Sequence, residues 1–218
     1  MTSGIVYVAF GERAHAEVKD SIASLRRHCP DLPVTIINED VLPGVFWDSP
    51  SEGLYKGSRV FMPGMVKPQL WELSPYEHTL YLDADTRIKG DILPLFGFLE
   101  QGWDMGFVPG QAARFVCNTD FAPKELEATL KELGCPFLHY YNSGVILWRK
   151  NEATRQLFET WGQEWQRFRN WDEQMALMRA LWRTNVKFIT LPTCWNSRQL
   201  NGAIIFHDTG NGRAQFRI

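Results

Sequence analysis

Two aspartates separated by one residue, Asp83 and Asp85, are the residues of this sequence best suited to metal chemistry. They follow the apolar run at 79–82, and residues two apart on an extended chain project to the same side, so both carboxylates can face one ligand. Carboxylate oxygens suit Mg²⁺ or Mn²⁺, which hold few protein ligands and bind phosphate oxygens and water as well. Aspartates also accept hydrogen bonds from backbone amides in turns, so the pair alone leaves a metal site and a turn equally open.

The elements that must position this pair alternate between buried strands and amphipathic helices. Continuous apolar runs predict strands at 5–10, 34–37, 79–82, 103–108 and 144–148, followed by short strands at 187–190 and 203–206. Apolar residues at helical spacing predict helices at 14–28, 65–73, 91–99 and 123–133, one after Asn151, and one from Asp172 to about 182. Residues 40–64, rich in Pro, Gly and Ser, predict an irregular loop that could lie over a ligand.

This alternation predicts the α/β class, with a three-layer α/β/α sandwich around a mostly parallel central sheet and one domain spanning 1–218. Ligands of such sheets bind at the carboxyl ends of the strands. The first three predicted strands end at 9–11, 38–40 and 83–85, so these segments should line one crevice.

Composition narrows the classes of function. The chain is 44% hydrophobic and 22% charged with a net charge of −2, and no run of Lys or Arg exceeds two residues, which argues against nucleic-acid binding through a broad cationic face. Its four cysteines are far apart, as expected in a reducing compartment and unlike a zinc knuckle. No apolar stretch approaches the about 20 residues that span a bilayer, and the first residues lack a secretory signal pattern, so we expect a cytoplasmic protein.

Four segments carry a more specific signal through their order and spacing. They are Lys-Pro-Gln-Leu-Trp-Glu-Leu at 67–73, Tyr-Leu-Asp-Ala-Asp-Thr-Arg at 81–87, Tyr-Asn-Ser-Gly-Val-Ile-Leu-Trp at 141–148 and His-Asp-Thr-Gly-Asn-Gly-Arg at 207–213. Together they resemble the retaining glycosyltransferases of the glycogenin and lipopolysaccharide galactosyltransferase type, glycosyltransferase family 8. The resemblance extends over most of the chain and implies the GT-A fold of the nucleotide-diphospho-sugar transferases.

The resemblance implies a metal site and a donor site. A neutral ring nitrogen of His207 would join Asp83 and Asp85 on Mn²⁺ (or Mg²⁺), although a lone histidine after an apolar strand is more often structural. Gly144 would remove a side chain from a close approach, and Arg213 stands where the family usually has Lys. The implied donor-binding residues are Ala9, Phe10, Gly11, Lys67, Asp83, Ala84, Asn142, Ser143, Gly144, Gly210 and Arg213.

The implied catalytic residues lie at the start of the last long helix. Trp-Asp-Glu-Gln at 171–174 resembles the family's Asp-Gln pair, and Gln174 would lie beside the anomeric centre. In register with Gln174, Glu173 takes the position of the family's aspartate, while Asp172 is one residue early. Either carboxylate could bind sugar hydroxyls, and Asp172 could equally be the N-cap of its helix.

The predicted function is metal-dependent, retaining transfer of a hexose from a UDP-sugar to an unidentified acceptor. Two alternatives stay open. A sugar-nucleotide pyrophosphorylase would carry a Gly-rich phosphate loop after its first strand, of which Gly-Glu-Arg at 11–13 is a poor version. A nucleotide-sugar-binding protein with little turnover would keep the cleft without the catalysis.

Overall fold

A six-stranded sheet forms the centre of the fold in the computed structural model, which describes residues 2–44, 46–48, 59–61, 63–110, 123–134, 140–170 and 172–208. The strands are β1 Ser3–Val8, β2 Val34–Ile37, β3 Phe46–Asp48, β4 Arg59–Phe61, β5 His78–Leu82, β6 Thr86–Ile88, β7 Met105–Pro109, β8 Tyr141–Arg149, β9 Phe188–Thr190 and β10 Ile205–His207. The helices are α1 Glu12–Arg26, α2 Pro63–Val66, α3 Leu70–Leu73, α4 Pro94–Glu100, α5 Pro123–Leu133, α6 Glu152–Gln166 and α7 Gln174–Arg183. Short 3₁₀ helices lie at Lys67–Gln69 and Thr193–Asn196.

The order of strands in the central sheet is β2-β1-β5-β8-β7-β9, and only β8 runs against its neighbours. The predicted mostly parallel sheet is therefore confirmed. The antiparallel direction of β8 has a local consequence, because its first residues lie at the edge where β1 and β5 end. Val145 of β8 is paired with Leu82 of β5, which places the residues before Val145 beside those after Leu82.

Apolar side chains alternate between the two faces of this sheet and build a core on each. Along β5, Tyr81 packs into one core, while Leu80 and Leu82 pack into the other. The first core includes the apolar residues of α6 and α7, and the second includes those of α1 and α4. Helices therefore cover both faces, which confirms the predicted three-layer arrangement.

Several predicted element boundaries change in the structure. The helix predicted at 65–73 is divided into α2, a 3₁₀ turn and α3, because Pro68 lacks the N–H that a continuous helix requires. The loop predicted at 40–64 contains the antiparallel pair of β3 and β4, in whose register Phe46 is paired with Phe61. The last predicted helix begins at Gln174, two residues after Asp172.

Candidate active site

The acid pair lies on a tight turn at the carboxyl end of β5. The carbonyl of Asp83 accepts hydrogen bonds from the Thr86 backbone N–H (3.1 Å) and hydroxyl (2.8 Å), and the N–H of Asp83 donates to the carbonyl of Gly144 (2.8 Å). The turn is thus closed by Thr86 and the main chain. Within the described residues neither Asp83 nor Asp85 uses its carboxylate to cap a backbone amide. Asp83 Oδ1 accepts from the Tyr81 hydroxyl (2.5 Å) and lies 3.1 Å from the Lys67 ammonium, so Asp83 Oδ2 is the oxygen of this residue directed to a ligand.

His207 completes a cluster of three possible metal ligands. Antiparallel pairing of β10 with β6 sets His207 opposite Thr86, and the Asp208 N–H donates to the carbonyl of Asp85 (2.9 Å). His207 Nε2 lies 3.1 Å from Asp85 Oδ1 and 3.7 Å from Asp83 Oδ2. Ligand atoms of the three residues all lie within 4.8 Å of one another.

A chain of amides orients the His207 ring. Asn196 Nδ2 donates to Asn142 Oδ1 (2.7 Å), so Asn196 Oδ1, 2.8 Å from His207 Nδ1, accepts the proton of that ring nitrogen. The lone pair of a neutral His207 then lies on Nε2 and faces the two aspartates, as a metal ligand requires. Burial lowers the pKa of His207, but the hydrogen bond to Asp85 and the negative charges of both aspartates outweigh burial and raise it.

Gly144 is the residue that allows this cluster to form. A Cβ atom at position 144 would lie 2.4 Å from His207 Cε1 and 2.7 Å from Asp83 Oδ2, closer than atoms can approach. The sequence predicted a close approach at Gly144, and in the structure two of the three approaching groups belong to candidate metal ligands, the third being Asn142 Oδ1.

Lys67 is a buried cation held behind the acid pair. Its ammonium lies 3.1 Å from Asp83 Oδ1 and 3.0 Å from Glu173 Oε1, and it donates to Ser143 Oγ (3.1 Å). Burial lowers the pKa of Lys67, but the charges of Asp83 and Glu173 outweigh burial and raise it well above its usual value. For Asp83, burial raises the pKa, but the positive charges of Lys67 and His207 outweigh burial and bring the pKa below its usual value. The negative charges that Lys67 contacts are thus those of protein carboxylates.

Ser143 connects the start of β8 to the start of α7. Its hydroxyl donates to Glu173 Oε1 (2.6 Å), and its backbone N–H donates to Gln174 Oε1 (3.1 Å). The carbonyl of Glu173 accepts from the indole of Trp161 (3.0 Å), which fixes the turn before α7 to α6. Burial raises the pKa of Glu173 above its usual value despite the nearby Lys67.

Asp172 lies one residue before the N-cap of α7, which is Glu173. Asp172 Oδ1 accepts the backbone N–H of Gln174 (2.8 Å), so it bonds to the start of the helix without being the N-cap that the sequence allowed for it. Oδ1 also accepts from Gln174 Nε2 (3.0 Å), and Oδ2 accepts from the hydroxyl of Tyr140 (3.0 Å). Tyr140 was not predicted as a site residue, since nothing in its local sequence distinguishes it from a core tyrosine.

The end of β1 lies beside the acid pair, because Tyr7 is paired with Leu82. Ala9 and Phe10 are buried there, and Gly11 has a φ of 81° that favours glycine. The N–H of Gly11 donates to Glu39 Oε1 (2.5 Å), a residue that the sequence did not single out. Ala84 is half-buried between the two aspartates. The predicted residues Gly210 and Arg213 lie outside the described residues.

Asn142 and Asn196 form the polar wall next to His207. Asn142 Oδ1 accepts from both the Gly144 N–H (2.8 Å) and Asn196 Nδ2 (2.7 Å). The side-chain nitrogen of Asn142 makes no hydrogen bond among the described residues. Asn196 was missed from sequence because it lies in a 3₁₀ turn with no recognisable motif. The structure thus brings together the predicted residues of β5, β8, β10 and the start of α7.

Comparisons with known proteins identify the family and the fold. Residues 79–203 match the profile of the nucleotide-diphospho-sugar transferase family. Mouse xyloside xylosyltransferase 1, in its apo form, is similar to this chain with a TM-score of 0.59 and 14% identity, over 97% of this chain and 99% of that one. The galactosyltransferase LgtC, in complex with donor and acceptor sugar analogs, has a TM-score of 0.58 and 14% identity, over 98% and 90%. An active-site mutant of LgtC with glutamate in place of glutamine has a TM-score of 0.57 and 14% identity, over 94% and 86%.

The profile match covers more than half of the sequence, so the chain belongs to the nucleotide-diphospho-sugar transferase family and is a glycosyltransferase. The structural similarities show that its fold is GT-A. The resemblance and the fold predicted from sequence are therefore confirmed. Comparison with curated protein sequences finds no match. Over the described part of the chain, no helix has the length and apolar character needed to cross a membrane.

Proposed function

We propose that this chain catalyses metal-dependent transfer of a hexose from a UDP-sugar to an acceptor, with retention at the anomeric carbon. The observation that carries the proposal is the convergence of Asp83, Asp85 and His207 within 4.8 Å at the carboxyl edge of the sheet. Two carboxylates and one imidazole nitrogen fit Mn²⁺ or Mg²⁺ and leave positions for phosphate oxygens and water. A cation bound there would neutralise charge on the departing nucleoside diphosphate.

The charge balance of the site supports metal dependence. The carboxylates of Asp83 and Glu173 flank the ammonium of Lys67, and the carboxylate of Asp85 lies beside His207. When His207 is neutral this set is negative, and a diphosphate would be repelled by it. A divalent cation removes that repulsion. Lys67 contributes by holding the carboxylates of Asp83 and Glu173 in place, whereas Arg213 and Gly210 are proposed to contact the diphosphate, on the resemblance alone.

Hydrogen bonding favours Glu173 over Asp172 as the carboxylate that binds sugar hydroxyls. Both oxygens of Asp172 accept hydrogen bonds from Tyr140 or Gln174. Glu173 uses Oε1 for Ser143 and Lys67, and its Oε2 has no hydrogen bond among the described residues. We therefore assign the sugar hydroxyls to Glu173 and the Asn142 amide, and the anomeric centre to Gln174.

The rest of the donor is assigned by position in the fold. Ala9, Phe10 and Gly11 would contact the uracil and ribose, and Ala84 the donor next to the metal. Ser143 orients Glu173 and Gln174, because its polar atoms are used by these residues and by Lys67. The solved relatives are named for galactosyl and xylosyl transfer, so the donors to test first are UDP-galactose, UDP-glucose as a second hexose donor, and UDP-xylose as a pentose donor for comparison. A cytoplasmic location and a single domain over 1–218 stay predictions.

The pyrophosphorylase alternative is disfavoured by the end of β1. A phosphate loop needs free backbone N–H groups, and the N–H of Gly11 is bound to Glu39. A binding protein with little turnover would be recognised by donor-dependent thermal stabilisation without metal-dependent hydrolysis of the same UDP-sugar.

Replacing Asp85 with Asn tests the proposal directly. UDP release from the three donors is measured with Mn²⁺ and with a chelator. The wild type should need the metal, and Asp85→Asn should lose about 100-fold or more in kcat, because the ion would be bound weakly where leaving-group charge develops. The exposed Asp31 gives a matched control, Asp31→Asn, expected to keep full activity. Wild-type activity that survives the chelator would refute metal dependence.

A further inference from the structure

The side chain of Gln174 is held by hydrogen bonds at both ends. Its Oε1 accepts from the Ser143 backbone N–H (3.1 Å), and its Nε2 donates to the Tyr140 hydroxyl (2.5 Å) and to Asp172 Oδ1 (3.0 Å). Because both Nε2 hydrogens are used, the hydrogen-bond network allows only one orientation of the amide. The acceptor capacity that remains lies on Oε1.

Tyr140 closes a ring of hydrogen bonds with Asp172 and Gln174. Its hydroxyl donates to Asp172 Oδ2 (3.0 Å) and accepts from Gln174 Nε2, while Asp172 also accepts the backbone N–H of Gln174 (2.8 Å). The ring of Tyr140 rests on Gly110, where a Cβ atom would lie 2.5 Å from Tyr140 Cδ1. The Gly110 N–H donates to the Tyr140 carbonyl (2.7 Å), so the junction of β7 and β8 places the hydroxyl.

We propose that Tyr140, together with Asp172, is a positioning residue that keeps Gln174 Oε1 directed at the reacting sugar. The assignment rests on the proposed function, and it adds a residue that acts through Gln174. An electron-poor anomeric carbon is stabilised by a carbonyl dipole and destabilised by an amide N–H in the same place. A Gln174 amide free to rotate by a half-turn would offer the wrong group part of the time. The ring of hydrogen bonds prevents that rotation.

Kinetics of Tyr140→Phe test the proposal. This change removes the hydroxyl and keeps the ring on Gly110. We expect kcat for transfer from a UDP-sugar with Mn²⁺ to fall by about 10-fold to 100-fold, with the KM of the donor within about 2-fold, because misorientation affects reaction more than binding. Tyr141→Phe is the matched control, since the Tyr141 hydroxyl is 2.8 Å from Thr190 Oγ1. It should keep kcat.

A double-mutant cycle separates positioning from a general structural role. If Tyr140 acts through Gln174, Tyr140→Phe has no further effect on kcat in a Gln174→Ala chain. Independent, multiplying losses would overturn the proposal. So would an equal loss of kcat in Tyr141→Phe.

A measurement that needs no activity completes the test. In the ¹⁵N-labelled chain, the side-chain NH₂ signals of Gln174 are identified by their absence in Gln174→Glu. We expect Tyr140→Phe to shift these signals towards those of exposed glutamines and to speed their exchange with solvent, and Tyr141→Phe to leave them in place. Unchanged signals in Tyr140→Phe would overturn the positioning role. If the wild type transfers from none of the three donors, the proposed function fails, and these spectra still decide whether Tyr140 holds Gln174.

Discussion

Two clusters of charged residues, each built around a buried cation, are attached to α7, and they differ in how completely their charges are balanced. The Lys67 cluster, near the start of the helix, contains the ammonium of Lys67 between Asp83 and Glu173, and Asp85 beside His207. The Arg179 cluster, farther along α7, sets three arginines against three glutamates: Arg167, Arg179, Arg183, Glu125, Glu132 and Glu164. The first has an excess of negative charge, and the second is neutral.

In the Arg179 cluster, the charges are balanced and hydrogen-bonded within the protein, as the contacts of Arg179 show. Its guanidinium donates to Glu164 Oε2 (2.8 Å), Glu125 Oε1 (2.8 Å) and Thr129 Oγ1 (2.7 Å), and so joins α5, α6 and α7. A balanced and fully bonded set of charges serves the fold. In the Lys67 cluster the carboxylates outnumber the positive charges that the described residues supply. A bound cation would balance them.

The largest expected effect on stability comes from opening the balanced cluster. Arg179→Met leaves Glu125 and Glu164 buried without their main partner, and should lower the free energy of unfolding by about 3–5 kcal/mol. Urea denaturation measures this loss. Arg155→Met is the control, because Arg155 pairs with Glu152 and Glu159 on the exposed side of α6 and should matter little. A loss in Arg179→Met no larger than in Arg155→Met would contradict the structural role of the Arg179 cluster.

Gly144→Ala should affect metal binding more than stability, the opposite of what we expect for Arg179→Met. The added methyl group displaces His207 or Asp83, so affinity for Mn²⁺ should fall by about 10-fold to 100-fold. Loss of stability should be smaller than for Arg179→Met, since the atoms in the way belong to side chains. Calorimetric titration with Mn²⁺ and urea denaturation of both variants provide the comparison. Unchanged Mn²⁺ affinity in Gly144→Ala would show that the ion, if bound, lies elsewhere.

The smallest expected effect is on how stability depends on pH, and it comes from Glu132, at the more exposed side of the Arg179 cluster. A hydrogen bond from Arg167 is the main cause that lowers the pKa of Glu132 from 4.5 to about 2. A carboxyl with a lowered pKa stabilises the fold above its unfolded pKa, and loses that effect as the pH falls through its folded pKa. Glu132→Gln should therefore cost under about 1 kcal/mol near pH 6, and the difference from wild type should shrink between pH 5 and pH 2. A difference that does not change with pH would contradict the ion pair.

Sequence patterns predicted most of the strands and helices and the residues of the candidate metal cluster, but not β3, β4 and β6, nor the polar contacts between distant elements. Apolar runs identify buried strands without their direction, so the antiparallel β8 could not be foreseen. Lys67 was predicted as a donor-binding residue, and the sequence could not indicate that it contacts Asp83, Glu173 and Ser143. Tyr140 and Asn196 act through side-chain hydrogen bonds to residues in other elements of the fold, for which no local pattern exists. Arg179 had a signal, because a charge among the apolar residues of α7 needs a buried partner.

The candidate metal site can form only in the folded protein, because the pairing of β10 with β6 brings one of its ligands to the other two. The three candidate ligands come from the end of β5, the turn after it and β10, so they meet only when distant parts of the chain have assembled. A cation held by them binds the folded state and not the unfolded chain. At a hundredfold excess over its dissociation constant, such an ion adds about 2.7 kcal/mol to the stability of the whole protein. The ion that would prepare the donor for reaction would thus also hold the last strand of the described chain in place.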